Sequence, residues 1–154
     1  MVFTSLKRMS KALGMVGAAA GLTLGVAAPA SADSTVTWQH DVSKLCLGWN
    51  LDNNDAKMWG CSSYGTAWYE SSNSDGSWLM KRNDDRGYCL TAYWDNDVYM
   101  EPCTGNDYQR WYEIQTSAGW KLKHKATGRF LDANDSGSSV YLHDENNGRY
   151  QLWH

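Results

Sequence analysis

The amino-acid sequence aligns with itself at shifts of 41 to 43 residues, and no other feature restricts its fold as strongly. Cys46-Leu47, Cys89-Leu90 and Phe130-Leu131 correspond, as do Trp68, Trp111 and Trp153, each of which closes its copy. Upstream, Trp78-Leu79-Met80-Lys81-Arg82 matches Trp120-Lys121-Leu122-Lys123-His124 and, more loosely, Val36-Thr37-Trp38-Gln39-His40. Each of three copies therefore starts on a short alternating segment. Between these landmarks, short runs of β-branched and aromatic residues are broken by turn clusters such as Asn83-Asp84-Asp85-Arg86-Gly87, Asp95-Asn96-Asp97 and Asn134-Asp135-Ser136-Gly137. Helical periodicity is absent. The two prolines stand at Pro29 and Pro102, so the turns rest on Gly, Asn and Asp, which tolerate positive φ or bond to the local backbone.

A unit of about 40 residues with several strands cannot bury its own apolar face, so three such units must share one core. A propeller uses blades of this length but needs about four of them. A closed threefold barrel fits better, and the predicted class is all-β. The three closing tryptophans are expected at equivalent places around a pseudo-threefold axis, as core and not as ligand platforms. The copies are expected over about 33–70, 71–113 and 114–154.

Residues 1–32 read as a secretory leader: Lys7, Arg8 and Lys11, then the weakly apolar stretch from Ala12 to Ala28, then Ala30-Ser31-Ala32. A membrane anchor is the competing reading, but the stretch is rich in Ala and Gly and an A-x-A site follows it. Asp33 is the expected first residue after cleavage, leaving about 122 residues, enough for one domain. Export permits disulfides, and the four cysteines allow three connectivities. The local pairing, Cys46 with Cys61 and Cys89 with Cys103, is favoured because each pair brackets a similar segment; each closure is worth on the order of 3 kcal/mol. Zinc is the rival reading, but no C-x-x-C occurs and His40, His124, His143 and His154 are scattered. No metal and no cofactor are expected.

Charge narrows the partners. Of 14 Lys and Arg, the leader carries three, leaving 11 against 17 acidic groups and a net charge of −6, which disfavours nucleic acid. No membrane span is expected after the leader. All 9 Trp and all 9 Tyr lie after residue 32, a density of amphipathic rings suited to exposed polar recognition as well as to a core. Thirteen of the acidic groups are Asp, many in turn clusters, and no G-x-S-x-G, H-E-x-x-H or phosphate loop occurs. Paired-carboxylate catalysis has no distinct candidate, so a non-enzymatic binding protein is expected.

Tyr108-Gln109-Arg110-Trp111 and Tyr150-Gln151-Leu152-Trp153 resemble the Q-x-W signature of the ricin-type β-trefoil lectins. The segments from Val98 to Trp111 and from Val140 to Trp153 are most similar to its actinohivin-type branch, which binds mannose. The resemblance covers everything after residue 32. It implies a β-trefoil and one sugar site per copy, made of an Asp just after the Cys-Leu position, a Tyr in the next strand, an Asn in the following loop and the Gln of Q-x-W. Carried over residue by residue, the third copy keeps all four as Asp132, Tyr141, Asn146 and Gln151, with His143 beside them. The second keeps Tyr99 and Gln109 but has Thr91 and Thr104 in place of the Asp and the Asn, and Trp94 beside Asp95-Asn96-Asp97 is a candidate exposed platform there. The first has Gly48, Lys57 and Thr66 at the Asp, Tyr and Gln positions and is expected to hold no site of this type. Trp49 and Trp59 lie outside the shared pattern.

The chemistry suits a saccharide. A carboxylate accepts from adjacent hydroxyls through charge-assisted bonds, amides donate and accept, and a phenol ring covers a C–H face. The expected protein is a secreted carbohydrate binder working mainly through its third copy. The alternative is a degenerate trefoil that binds a protein as an inhibitor or toxin subunit.

Overall fold

The computed structural model describes residues 33–154, so the expected leader lies outside the described residues. Eleven strands follow one another: β1 Ser34–Val36, β2 Cys46–Trp49, β3 Ala56–Trp59, β4 Trp68–Ser72, β5 Trp78–Arg82, β6 Tyr88–Ala92, β7 Val98–Pro102, β8 Arg110–Gln115, β9 Trp120–His124, β10 Phe130–Ala133 and β11 Val140–His143. Single 3-10 turns at Asp107–Gln109 and Arg149–Gln151 precede the second and third closing tryptophans. The expected breaks near residues 70 and 113 fall inside β4 and β8.

Pairing runs β1-β4-β5-β8-β9, every neighbour antiparallel. Residues 152–154 act as the twelfth strand. Trp153 exchanges backbone bonds with Trp120 (2.8 and 2.9 Å), His154 does so with Gln39 (2.9 and 2.8 Å), and Asp41 N–H donates to Leu152 O at 2.9 Å. The six segments thus close into a barrel. Three hairpins, β2–β3, β6–β7 and β10–β11, accompany it in threefold array.

The closing tryptophans are core, as the repeat predicts. Trp68, Trp111 and Trp153 are fully buried, and each indole N–H donates to the carbonyl of its own copy's leucine: Leu47 at 2.9 Å, Leu90 at 3.0 Å and Leu131 at 3.2 Å. One bond repeated three times ties every hairpin to the barrel and satisfies the only polar atom of each buried side chain. His40 and His124 are likewise structural. Their Nε2 atoms meet the carbonyls of Tyr150 (3.0 Å) and Tyr108 (2.9 Å), and their Nδ1 atoms meet Ser43 and Thr127 hydroxyls, both at 2.9 Å. Burial lowers both pKa values. Arg82 takes the corresponding place in the second copy, paired with Asp84.

Asn54 and Asn96 sit at positive φ (59° and 75°) in the first two of the three hairpin turns, and their carbonyls accept from Met100 N (2.6 Å) and Leu142 N (2.9 Å) of the following copy. Disulfides join Cys46 to Cys61 and Cys89 to Cys103, the local pairing. Among the described residues no cluster of potential metal ligands occurs, and no helix is long and apolar enough to cross a membrane.

Candidate functional site

Alternation along β10 decides what the third copy can present. Leu131 and Ala133 join the core, which turns Phe130 and Asp132 to the opposite face. Asp132 pairs across the strands with Tyr141, and Phe130 with His143, so residues of both strands share that face. There a hollow of about 400 Å³ is lined by Asp132, Tyr141, His143 and Asn146, joined by Tyr150 and the turn residues Asn134 and Asp135.

Asp132 is only 3% exposed, and its Oδ1 is buried with no hydrogen-bond partner. It forms no ion pair among the described residues. Burial, next the Asp132 charge and then a hydrogen bond to that carboxyl raise the Tyr141 pKa, so the phenol stays protonated and donates toward Asp132. Asn146 Oδ1 accepts from Gly148 N at 2.8 Å, and its amide nitrogen has no partner among the described residues. His143 Nδ1 meets its neighbour's carbonyl, Asp144 O, at 2.9 Å.

Gln151 bonds to the backbone of its own loop. It is fully buried, its Oε1 accepts from Asn146 N at 3.1 Å, and its Nε2 donates to Asp144 O at 2.9 Å. It holds the loop that carries Asn146 and is a positioning residue. Lys121 helps from beneath. Its Nζ, on a side chain 9% exposed, reaches Asn146 O at 2.9 Å and Glu145 Oε1 at 3.1 Å and lies 5.5 Å from the Phe130 ring centroid. Lys121, Tyr150 and Asn134 are residues that sequence reasoning missed. Tyr150 alone had a signal, the residue before the glutamine in the Q-x-W run.

The model of the ricin-type β-trefoil lectin domain matches residues 34–153. The chain belongs to the ricin-type β-trefoil lectin domain family. Solved structures with the same fold include a designed threefold-symmetric protein, ThreeFoil (18% identity, TM-score 0.70, 77% of this chain and 95% of that one). SeviL, solved bound to asialo-GM1 saccharide, is similar at 17% identity and TM-score 0.65, over 79% of this chain and 95% of that one. A Polyporus squamosus lectin, solved bound to a sialylated epitope, gives 18% and 0.69, over 80% of this chain and 49% of that one. No curated protein sequence matches.

The other two copies of this lectin domain use the same hairpin differently. In the second, Thr91 replaces the acid and is satisfied internally: its hydroxyl donates to Cys89 O at 3.0 Å and accepts from Gln109 Nε2 at 3.1 Å. Gln109, 1% exposed, also binds Thr104 N, Gly105 N and Pro102 O. Like Gln151, it ties down its own loop. Tyr93 stacks on Tyr99 (5.7 Å) and packs on Tyr108 (4.7 Å), and its hydroxyl donates to Glu101 at 2.9 Å. These four occupy the positions that Asn134, Tyr141, Tyr150 and His143 hold around the open hollow, so in the second copy those stations are filled by groups packed and bonded to one another. Burial pushes the Tyr99 pKa up to about 12. Trp94 is 60% exposed on the hairpin turn, backed by the third copy's Arg129, whose guanidinium lies 5.9 Å from its ring centroid and donates to Trp94 O at 3.3 Å. In the first copy, a Cβ on Gly48 would lie 2.5 Å from Gly65 O and 2.7 Å from Trp59 Cδ1, so the backbone and an indole ring fill the acid's place.

Proposed function

We propose that this protein is a secreted lectin that takes a neutral saccharide in the hollow of its third repeat. One observation carries the reading: a buried carboxyl with an orphaned oxygen and no cation, at the base of an open hollow ringed by donors and aromatic rings. Such a group is costly unless a partner supplies donors, and vicinal hydroxyls supply them without bringing charge. Tyr141 and Tyr150 give ring surface for a C–H face, and Asn146 gives the complementary amide. His143 borders the rim. Family membership supports a carbohydrate partner, and two closed disulfides suit an oxidising compartment.

The hollow is shallow and open, so a single sugar is expected to bind with Kd on the order of 1 mM, and useful avidity requires repetition of the site or an extended glycan. The role is recognition without turnover. Comparison of wild type and Asp132→Ala on a glycan array tests it: binding to hexose-terminated glycans is expected in the first and not in the second. A reducing-sugar assay on any bound glycan should stay at background. The self-satisfied second copy favours one other reading, a trefoil that docks on a protein. Absence of binding to every glycan, together with capture of a defined secreted protein, would replace the lectin reading with that one.

A further inference from the structure

The loop between β11 and the last 3-10 turn carries Asn146 and also the one Asn-Gly sequence of the chain, Asn147-Gly148. Its two ends are fixed. Asn146 N–H donates to Gln151 Oε1 at 3.1 Å and Asn146 O accepts from Lys121 Nζ at 2.9 Å, while Arg149–Gln151 form the turn that leads into the barrel. Asn147 and Gly148 bridge these anchors at a bend. Asn147 is exposed, and its carboxamide has no hydrogen-bond partner among the described residues. Gly148 N–H does have one: it donates to Asn146 Oδ1 at 2.8 Å.

A free carboxamide followed by glycine is open to attack from its own backbone. The nitrogen of the next residue reaches the asparagine Cγ through a five-membered ring, and a side chain on that residue obstructs the approach, whereas glycine has none. Other sequences of this kind in the chain are shielded. Asn134 and Asn73 precede Asp135 and Ser74, and their carboxamides are tied to Ser138 (2.7 and 2.8 Å) and Ser77 (3.1 and 3.2 Å). Asp75-Gly76 has the glycine, but Lys125 Nζ donates to the Asp75 carboxylate at 2.7 Å. Bonds from Lys125 and then Ser77 hold the Asp75 pKa well below the usual carboxylate range, and an ionised carboxylate resists attack by a nitrogen.

We propose that Asn147 is a site of self-modification, held back by Asn146. The Gly148 nitrogen bonds to Asn147 Cγ and gives up its proton, the bond from Cγ to the side-chain nitrogen breaks, and that nitrogen leaves as ammonia. Water then opens the succinimide at either carbonyl, leaving aspartate or isoaspartate. Before attack, Gly148 N–H must release Asn146 Oδ1, so Asn146 is the brake. Isoaspartate adds a methylene to the main chain between two anchored points, which displaces Asn146 from the rim of the third-repeat hollow. That last consequence rests on the lectin reading; the chemistry does not.

The test incubates wild type at neutral pH for weeks and maps its peptides by tandem mass spectrometry. Asn147 should convert before any other asparagine and give both aspartate and isoaspartate, the mark of a ring intermediate. Conversion no faster than at Asn134, or aspartate as the sole product, overturns the site. Asn146→Ala, which frees Gly148 N–H, should speed conversion about fivefold, the loss of one neutral hydrogen bond, and in concentrated urea the two rates should coincide. Wild type alone gives the same reading, since urea should raise its rate at least as much. An unchanged rate in urea overturns the brake. Protein carrying isoaspartate at 147, separated by ion exchange, should bind hexose-terminated glycans about five- to tenfold more weakly than unconverted protein. Asn147→Asp, which adds the charge without lengthening the chain, should keep most of the affinity. Equal affinity of converted and unconverted protein overturns the effect on the hollow. Binding by neither overturns the lectin reading, and that effect with it, while the conversion still stands or falls by mass.

Discussion

Strands β2–β3 and β10–β11 are one hairpin built twice, with Gly48 opposite Lys57 in the first copy and Asp132 opposite Tyr141 in the third. The inward residues agree, Leu47 and Trp49 against Leu131 and Ala133, all of them core. The outward residues do not. Where the third copy sets an acid, the first has no side chain at all, and Gly65 O and the Trp59 ring close over the gap. The inward face is fixed by a core that three copies must share, while the outward face answers to nothing but its own loop. A symmetric scaffold can therefore carry an open polar hollow, a sealed tyrosine cluster and, in the first copy, a hollow walled by Trp49, Leu51, Trp59 and Tyr64 at equivalent stations.

The largest expected effect tests the shared half of that comparison. Truncating any closing tryptophan, Trp68→Ala, Trp111→Ala or Trp153→Ala, should cost about 3–5 kcal/mol in urea unfolding, because each is fully buried and makes the same bond. Markedly unequal costs would break the equivalence of the copies. Next comes the outward face of the first: Gly48→Ala should destabilise by about 1–3 kcal/mol through overpacking against a backbone carbonyl that cannot swing away. Asp132→Ala should behave in the opposite sense. It removes an unpaired buried oxygen, so the unfolding midpoint should hold or rise, while hexose affinity falls about tenfold or more. A loss of stability would mean that the acid is structural.

The smallest effect is one of pH. The folded-state pKa values of His40 and His124 are both lowered, burial being the largest cause, from an unfolded value of 6.5. Above that value both are neutral folded or unfolded. Below it the unfolded chain takes up protons first, so stability falls as pH drops from 6.5 toward the lowered values. The slope is bounded by about 1.4 kcal/mol per pH unit for each histidine and flattens once pH passes its lowered folded value. Urea midpoints between pH 7.5 and 5 check it. Arg82, at the same station in the second copy, adds nothing in this window.

Much of the fold was legible because its signals are local and repeated. Trp68, Trp111 and Trp153 mark the copies, and asparagines mark two hairpin turns. The site was legible only in part. Asp132 and Tyr141 came from the resemblance to the lectin family, and the strand register sets them opposite one another on one surface. Gln109 and Gln151 stand where the motif puts them, but a motif leaves open which way an amide turns, and both amides bond to their own loops. Lys121 reads as a solvent residue on an alternating strand. Its burial is settled by Glu145 and Asn146 on a loop distant in sequence. The hollow of the first copy had no sequence signal beyond tryptophans that fitted no repeat, since it exists through the way Trp59 lies over a glycine.

The seam of the barrel has a kinetic side. Gln39 and Asp41 bond to Leu152 and His154, so the pairings that seal the ring join residues more than a hundred positions apart. Each hairpin can form from neighbours, yet the ring stays open until residue 153 is in place. Closure is therefore the step most exposed to loop entropy, and two finished copies waiting for a third would show an unsealed edge to any chaperone or sister chain nearby.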